Sequence, residues 1–162
     1  MAKVAQLRDN IDKTRYIVLR RENMLGRAPE VNILVDNAVV SRHHARVACP
    51  PGTSAYFAED VSARGVYVNF RRIKGRHPLK EGDRICVIRF HNVHPTEIEK
   101  MSPQQLHDCC EDPRVEGIKA VADFTFGHVE MSETKAFALQ SLQEEKPEGL
   151  LAKLKGIFGK KD

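Results

Sequence analysis

Short apolar runs separated by turn chemistry fill the first ninety residues. Tyr16-Ile17-Val18-Leu19 is a continuous run of strand length, and Asn32-Ile33-Leu34-Val35 is a second, closed by Asp36-Asn37. Arg46-Val47-Ala48-Cys49 stops at Pro50-Pro51-Gly52, because neither proline has an N–H to give to a ladder. Ala55-Tyr56-Phe57-Ala58 precedes a loop over 59–65, and Gly65-Val66-Tyr67-Val68-Asn69-Phe70 follows it. Lys74-Gly75-Arg76 and Pro78-Leu79-Lys80-Glu81-Gly82-Asp83 read as turns, the second leading into Arg84-Ile85-Cys86-Val87-Ile88-Arg89-Phe90. Roughly six or seven short strands between Val4 and Phe90, with turns every 8–12 residues or so and no long helical period, predict an all-β sandwich.

The pattern changes beyond His94. Ser102-Pro103-Gln104-Gln105 starts a helix: a serine cap, proline at the first helical position, and glutamine three residues after the cap to complete a capping box. Pro113 prevents that helix from running past Asp112. Within 118–131, Val121-Ala122-Asp123-Phe124-Thr125-Phe126 alternates like a strand. Two placements fit it: the last strand of the sandwich, with the helix as an insertion before it, or part of a separate small unit. Ser132 can cap a helix reaching Glu145, ended by Pro147. Leu150, Leu151, Leu154, Ile157 and Phe158 then share one helical face, with Lys153, Lys155, Lys160 and Lys161 on the rest. For this 147–162 helix the readings rank as docking onto the rest of the chain, then binding a partner, then lying on an acidic membrane.

Composition adds bounds. A chain of 162 residues with 41% apolar and 30% charged positions fits a globule of one domain plus an appendage, or of two small ones. No apolar run reaches the roughly 20 residues that span a bilayer, and the first residues meet charge too early for a secretory signal, so a cytoplasmic setting is expected. The net charge of +4 is uneven. Residues 1–95 carry 17 Lys/Arg against 9 Asp/Glu, or +8, and residues 96–162 carry 9 against 13, or −4. A basic front half suits an anionic ligand. The cysteines Cys49, Cys86, Cys109 and Cys110 form no disulfide framework, and the first two read as buried thiols acting as small hydrophobes.

The candidate site lies in Gly26-Arg27, in Ser41-Arg42-His43-His44-Ala45, in Asp60-Val61-x-Ala63-x-Gly65, in Val68-Asn69 and in Pro78-Leu79-x-x-Gly82-Asp83. A phosphate monoester carries about −1.5 to −2 charges and three strong acceptor oxygens. It calls for guanidinium forks, hydroxyl donors and free backbone N–H groups on loops held by a rigid scaffold. Arg27 and Arg42 can supply the forks and Ser41 the hydroxyl. In this order and spacing, over roughly residues 15–90, the chain resembles the forkhead-associated (FHA) domain family. The resemblance implies an FHA-type β-sandwich over 1–100 and a C-terminal mixed or helical extension over 101–162, helices plus one strand. By the same resemblance, Arg27 orders the loops and contacts a phosphopeptide, Ser41 and Arg42 grip the phosphate, His44 braces the loop, and Asn69 ties neighbouring loops together. Gly26, His44 and Gly65 are the structural positions of the motif. On residue type alone, Gly26 also reads as a turn residue at positive φ, and His43 as an exposed group adding positive charge when protonated.

One stretch departs from the family pattern. Where the family usually has Ser-Thr-Asn-Gly, this chain has Ser62-Ala63-Arg64-Gly65. Ala63 has no hydroxyl for phosphate, and Arg64 has no acceptor for a peptide N–H. Arg64 is expected instead to reach the phosphate or an acidic residue beside it, so that Arg27, Ser41, Arg42, Arg64 and Asn69 make up the expected phosphopeptide-binding set.

Other chemistries are weaker. His91 and His94 have zinc-like spacing, but adjacent Cys109 and Cys110 do not chelate easily, so no metal site is expected. No nucleotide loop, nucleophile elbow or metalloprotease motif occurs, and neither catalysis nor a cofactor is expected. With 6% aromatic residues and no recognition helix, nucleic acid is not an expected partner. The reading is a phosphothreonine-dependent protein-binding adaptor that acts in Ser/Thr kinase signalling. Its partner is a phosphothreonine-containing protein, with a Ser/Thr kinase upstream. The alternative is a phospho-independent interaction scaffold on the same fold.

Overall fold

A computed structural model describes residues 2–132 and residue 135. Eleven strands and two short helices are seen among these residues. They are β1 (Ala2–Asp9), β2 (Tyr16–Val18), β3 (Glu22–Gly26), β4 (Ile33–Leu34), β5 (Ala45–Ala48), β6 (Phe57–Asp60), β7 (Tyr67–Val68), β8 (Arg71–Arg72), β9 (Arg76–Pro78), β10 (Arg84–Phe90), α1 (Pro95–Glu99), α2 (Pro103–Glu111) and β11 (Ile118–Met131). One sheet runs β2-β1-β11-β10-β7-β8 and the other β4-β3-β5-β6-β9. The predicted sandwich is therefore present, with its core between the two sheets. Leu7, Leu19, Leu25, Ile33, Val47, Val66, Ile85, Val87 and Phe124 are almost fully withdrawn from water there.

Of the two placements open for 118–131, the structure takes the first. Strand β11 lies inside the six-stranded sheet, antiparallel to β1 from Ala2↔Met131 to Asp9↔Phe124 and to β10 from Arg84↔Thr125 to Phe90↔Ile118. The helical stretch is an excursion between β10 and β11. It covers the outer face of the sheet, where Leu106 of α2 packs with Tyr67, Phe70, Cys86, Ile88 and Ile118. This explains the unbroken apolar run in β10: Ile85 and Val87 face the sandwich core, and Cys86 and Ile88 face the helix. The α2 cap is as expected, with Ser102 Oγ accepting from Gln105 N–H at 3.1 Å and Gln105 Oε1 accepting from Ser102 N–H at 2.8 Å. Cys49 and Cys86 are buried, and burial pushes the Cys86 thiol far above its ordinary value.

Several elements differ from the sequence reading. Strands β1 and β3 carry no strong turn signal and do not stand out as apolar runs in the sequence. The stretch read as one strand over 65–70 turns back at Asn69 and Phe70, whose φ values are 52° and 65°. Two consecutive left-handed residues make a tight hairpin turn of the I′ kind, and an aromatic is an unusual occupant. Phe70 stays there because it is buried against α2, its ring 4.8 Å from that of His107 and 5.0 Å from the Arg84 guanidinium carbon. Gly75 does turn the chain (φ 62°), but Arg76–Pro78 then pairs with β6 as an edge strand. His94 caps α1, its Nδ1 accepting from Thr96 N–H. Ser132 Oγ accepts from Lys135 N–H at 3.2 Å, the bond expected of a cap. The remainder of the helix read to Glu145, and the whole of the 147–162 helix, lie outside the described residues.

Candidate functional site

The end of β3, the start of β5 and the end of β6 meet at one edge of the five-stranded sheet, through the pairs Leu25↔Ala45 and Ala45↔Asp60. The loops 27–32, 35–44 and 61–66 consequently emerge together. Gly26 is what lets two of them close on each other. A Cβ at this position would lie 2.0 Å from the Arg42 carbonyl oxygen, so no larger residue fits. The requirement is close backbone approach and not the positive φ that a turn glycine supplies. The Arg27 N–H then donates to Ser41 O, and the Ala28 N–H to Arg42 O, both at 3.1 Å. Arg27 Nε donates to Val40 O at 2.8 Å, which fixes the stem of its guanidinium against the loop.

A relay of hydrogen bonds ties the other two loops together. Ser41 N–H donates to His44 Nδ1 at 2.9 Å. A backbone N–H can only donate, so Nδ1 is the acceptor and the ring proton sits on Nε2, which donates to Gly65 O at 2.9 Å. Gly65 N–H donates to Ser62 Oγ at 2.8 Å, and the Ser62 hydroxyl donates to Asp60 Oδ1 at 2.6 Å. Ser62 N–H also donates to Asp60 Oδ1, at 2.8 Å. His44 is fully buried, and burial, opposed in part by its bond to Gly65 and by the Asp60 charge, pulls its pKa below the ordinary value. It is a neutral bridge. Gly65 itself has φ 110°, a backbone state that L side chains rarely adopt.

Around this braced frame the polar groups point outward. Arg42 and Arg64 are exposed and form no ion pair or side-chain hydrogen bond among the described residues, and the terminal nitrogens of Arg27 are likewise without a partner there. The Ser41 side chain is half-exposed beside them. His43 Nε2 pairs with Glu30 Oε2 at 2.8 Å on the same rim, and the Glu30 carboxyl is held below its usual range first by its own backbone N–H and then, against the opposing effect of burial, by His43 and the charge of Arg42. Ala63 is exposed and offers no polar group. The frame therefore presents three guanidiniums and a hydroxyl to solvent on loops that the core cannot release, an arrangement suited to a dianionic group.

Asn69 stands apart from this group. Its Nδ2 donates to Asp83 Oδ1 at 2.9 Å and its Oδ1 accepts from Arg84 N–H at 3.0 Å, while Asp83 Oδ2 accepts from Lys80 N–H at 2.8 Å. The amide ties the β7–β8 turn to the turn before β10. Sequence reasoning missed Arg72. Strand β8 pairs Arg72 with Tyr67 and returns it to the site, where its Nε lies 2.8 Å from the point a Gly65 Cβ would occupy. The only signal for it was the hairpin turn at Asn69–Phe70, hidden by the strand-like composition of 65–70.

Comparison with known proteins agrees with this geometry. The FHA domain family model matches residues 23–88, which contain every residue of the site, and this stretch is similar to FHA domains. Residues of the chain are 36% identical over 89 positions to the transcriptional regulatory protein EmbR of Mycobacterium tuberculosis, an alignment covering 54% of this chain and 23% of EmbR. The chain thus spans about a quarter of the length of the curated relatives it matches. Among solved structures, M. tuberculosis EmbR in complex with a low-affinity phosphopeptide matches with a TM-score of 0.53 and 26% identity, over 80% of this chain and 26% of that one. The N-terminal FHA domain of Rad53p from S. cerevisiae, in complex with a phosphothreonine peptide, matches with a TM-score of 0.51 over 84% of this chain and 99% of its own. At 12% identity it attests to the fold alone.

Proposed function

We propose that this chain is a phosphothreonine-dependent protein-binding adaptor that places a partner in response to a Ser/Thr kinase. The observation that carries the reading is the set of Arg27, Ser41 and Arg42. Their backbones are laced together through Gly26 and His44, while their charged or hydroxyl ends are left to solvent. Charges held without an internal partner on rigid loops await an external anion, and a phosphate dianion on a peptide matches two forks and a hydroxyl. Arg64 adds charge at the same rim. Asn69 contributes by holding the β7–β8 turn in place. No cofactor enters this reading, and the setting it implies is cytoplasmic; among the described residues no helix is long and apolar enough to cross a membrane.

A second reading is a phospho-independent scaffold. It is favoured by Ala63 and Arg64, which supply neither the hydroxyl nor the amide that the motif usually places there. Fluorescence anisotropy with a degenerate phosphothreonine peptide library and its unphosphorylated twin separates the two. The adaptor reading expects binding of the phosphorylated library only, with at least a tenfold loss, or about 1.4 kcal/mol, in Arg42→Ala. That variant should unfold at the same urea midpoint as the parent, because an exposed and unpaired arginine contributes little to stability. Equal binding of both libraries would instead establish the scaffold. A steep fall of affinity with salt on single-stranded or duplex oligonucleotides would point to nucleic acid.

A further inference from the structure

Two apolar patches lie on the outer face of the six-stranded sheet, and the helical excursion covers one of them. Leu106 of α2 sits on Tyr67, Phe70, Cys86, Ile88 and Ile118, and no residue of β1 or β2 joins that cluster. The second patch is on β1 and β2. Leu7 and Ile17 are paired and face the core, so the next pair along, Gln6 and Val18, points outward, and so does Val4, two residues from Gln6. Met131 and Val129 stand opposite Ala2 and Val4 on this same face. Val4 is 4% exposed and Val18 3%, as dry as the core between the sheets. Yet among the described residues the apolar groups packed on them are Ala2 and Met131, themselves only partly buried. Neighbours within a sheet cannot close its outer surface, so a cover lies over the valines.

Exposure marks where that cover ends. One pair further along the same face, Tyr16 opposite Arg8 is 60% exposed. The cover therefore reaches Val18 and stops short of Tyr16, at the end of the sheet where β11 finishes. There the chain leaves Met131 beside Ala2, and Ser132 Oγ accepts from Lys135 N–H, the capping bond of the helix read to Glu145. Ala136, Leu139 and Leu142 recur every three residues, which sets them on one side of such a helix. From β11 across β1 to β2 is two strand spacings, about 10 Å in all. At about 1.5 Å per residue, Leu139 and Leu142 come about 10 and 15 Å beyond Ser132, the reach that this crossing needs.

We propose that residues 133–145 dock as a helix across the ends of β11, β1 and β2, with Leu139 and Leu142 set on Val4 and Val18. The sheet then carries two covers, α2 over β7 and β10 and this segment over β1 and β2. The candidate-site loops spring from the other sheet, so the docking stands apart from the phosphothreonine reading.

Thiol labelling of the full chain, read peptide by peptide by mass spectrometry, tests it. Val18→Cys and Tyr16→Cys are each treated with iodoacetamide, alone and together with Leu139→Glu and Leu142→Glu. Cys86, buried under α2, reports on unfolding. The thiol at position 18 should react at least tenfold more slowly than the one at position 16. The two glutamates should speed position 18 at least tenfold and leave position 16 and Cys86 unchanged. Mild oxidation of Val18→Cys combined with Leu139→Cys should join the two peptides by a disulfide. An unchanged rate at position 18 overturns the docking, because the cover is then not this segment. Protection that grows with protein concentration assigns the face to a second copy and overturns it equally. Where the glutamates speed Cys86 as much as position 18, the cross-link decides, and its absence overturns the docking.

Discussion

His44 shows how one buried side chain can fix two surface loops relative to each other. Its ring accepts from Ser41 N–H and donates to Gly65 O, so both nitrogens are used by the neutral form. A second ring proton would face the Ser41 N–H, donor against donor, in a site already dried by burial. The Arg64 charge disfavours protonation further, while the Asp60 charge and the Gly65 carbonyl favour it; burial is the largest effect and the balance is a lowered pKa. The sign follows. A histidine whose folded pKa lies below its unfolded value of about 6.5 contributes full stability above pH 6.5 or so. That contribution is lost as pH falls toward and through the folded value, at up to about 1.4 kcal/mol per pH unit. Urea midpoints measured at pH 7.5, 6.5 and 5.5 should therefore fall on acidification in the parent chain, and fall less in His44→Asn. Parallel slopes in the two would mean that His44 is not the group that titrates. Its scaffold role was legible from the Ser-x-x-His motif. The direction of each bond was not, because the partner carbonyl at Gly65 is 21 residues away.

At the scale of elements, what could be read locally was read and what depended on a distant surface was not. The α2 cap is written in Ser102-Pro103-Gln104-Gln105, and the strand β10 in an apolar run with charged ends; both follow from neighbours in sequence. The β7–β8 hairpin does not. Val-Asn-Phe-Arg lacks the glycine that such turns prefer, and Phe70 is tolerated at φ 65° because α2 and Arg84 bury its ring. The cost of a left-handed L-residue is about 1–2 kcal/mol, and glycine avoids it. At an ordinary buried site, replacing phenylalanine by glycine is worse than replacing it by alanine by about 0.5–1 kcal/mol. Here the order should reverse. Both variants should lose roughly 3 kcal/mol or more of packing, but Phe70→Gly should melt above Phe70→Ala in thermal unfolding. If alanine is the more stable replacement, packing has not forced the turn. Because β8 carries Arg72 back to Gly65, failure to read this turn also hid the fourth arginine of the site.

For the molecule as a whole, the composition break at residue 95 suggested a front domain and an appended tail, yet the strand that follows the break is the one most deeply woven into the sheet. β11 pairs with β1 on one side and with β10 on the other, and it contributes Ala122, Phe124 and Phe126 to the core between the sheets. Asp123 in the same strand is buried and receives the Arg84 guanidinium and Asn10 Nδ2, the latter at 2.9 Å. Without β11, β1 and its neighbour β2 have no connection to β10, so the six-stranded sheet falls into two pieces. The loss of two buried phenylalanines alone, at roughly 3–5 kcal/mol each, equals much of the 5–15 kcal/mol by which a domain is usually stable. Arg84, partly exposed at the start of β10, would also lose its carboxylate partner. A fragment ending at residue 100 should therefore show neither a cooperative urea transition nor dispersed amide resonances, although it contains every residue of loops 27–32, 35–44 and 61–66. It should bind no phosphopeptide that the whole chain binds. A folded 1–100 fragment with intact phosphopeptide affinity would show that the five-stranded sheet and its loops stand alone, and that β11 merely closes a core already formed.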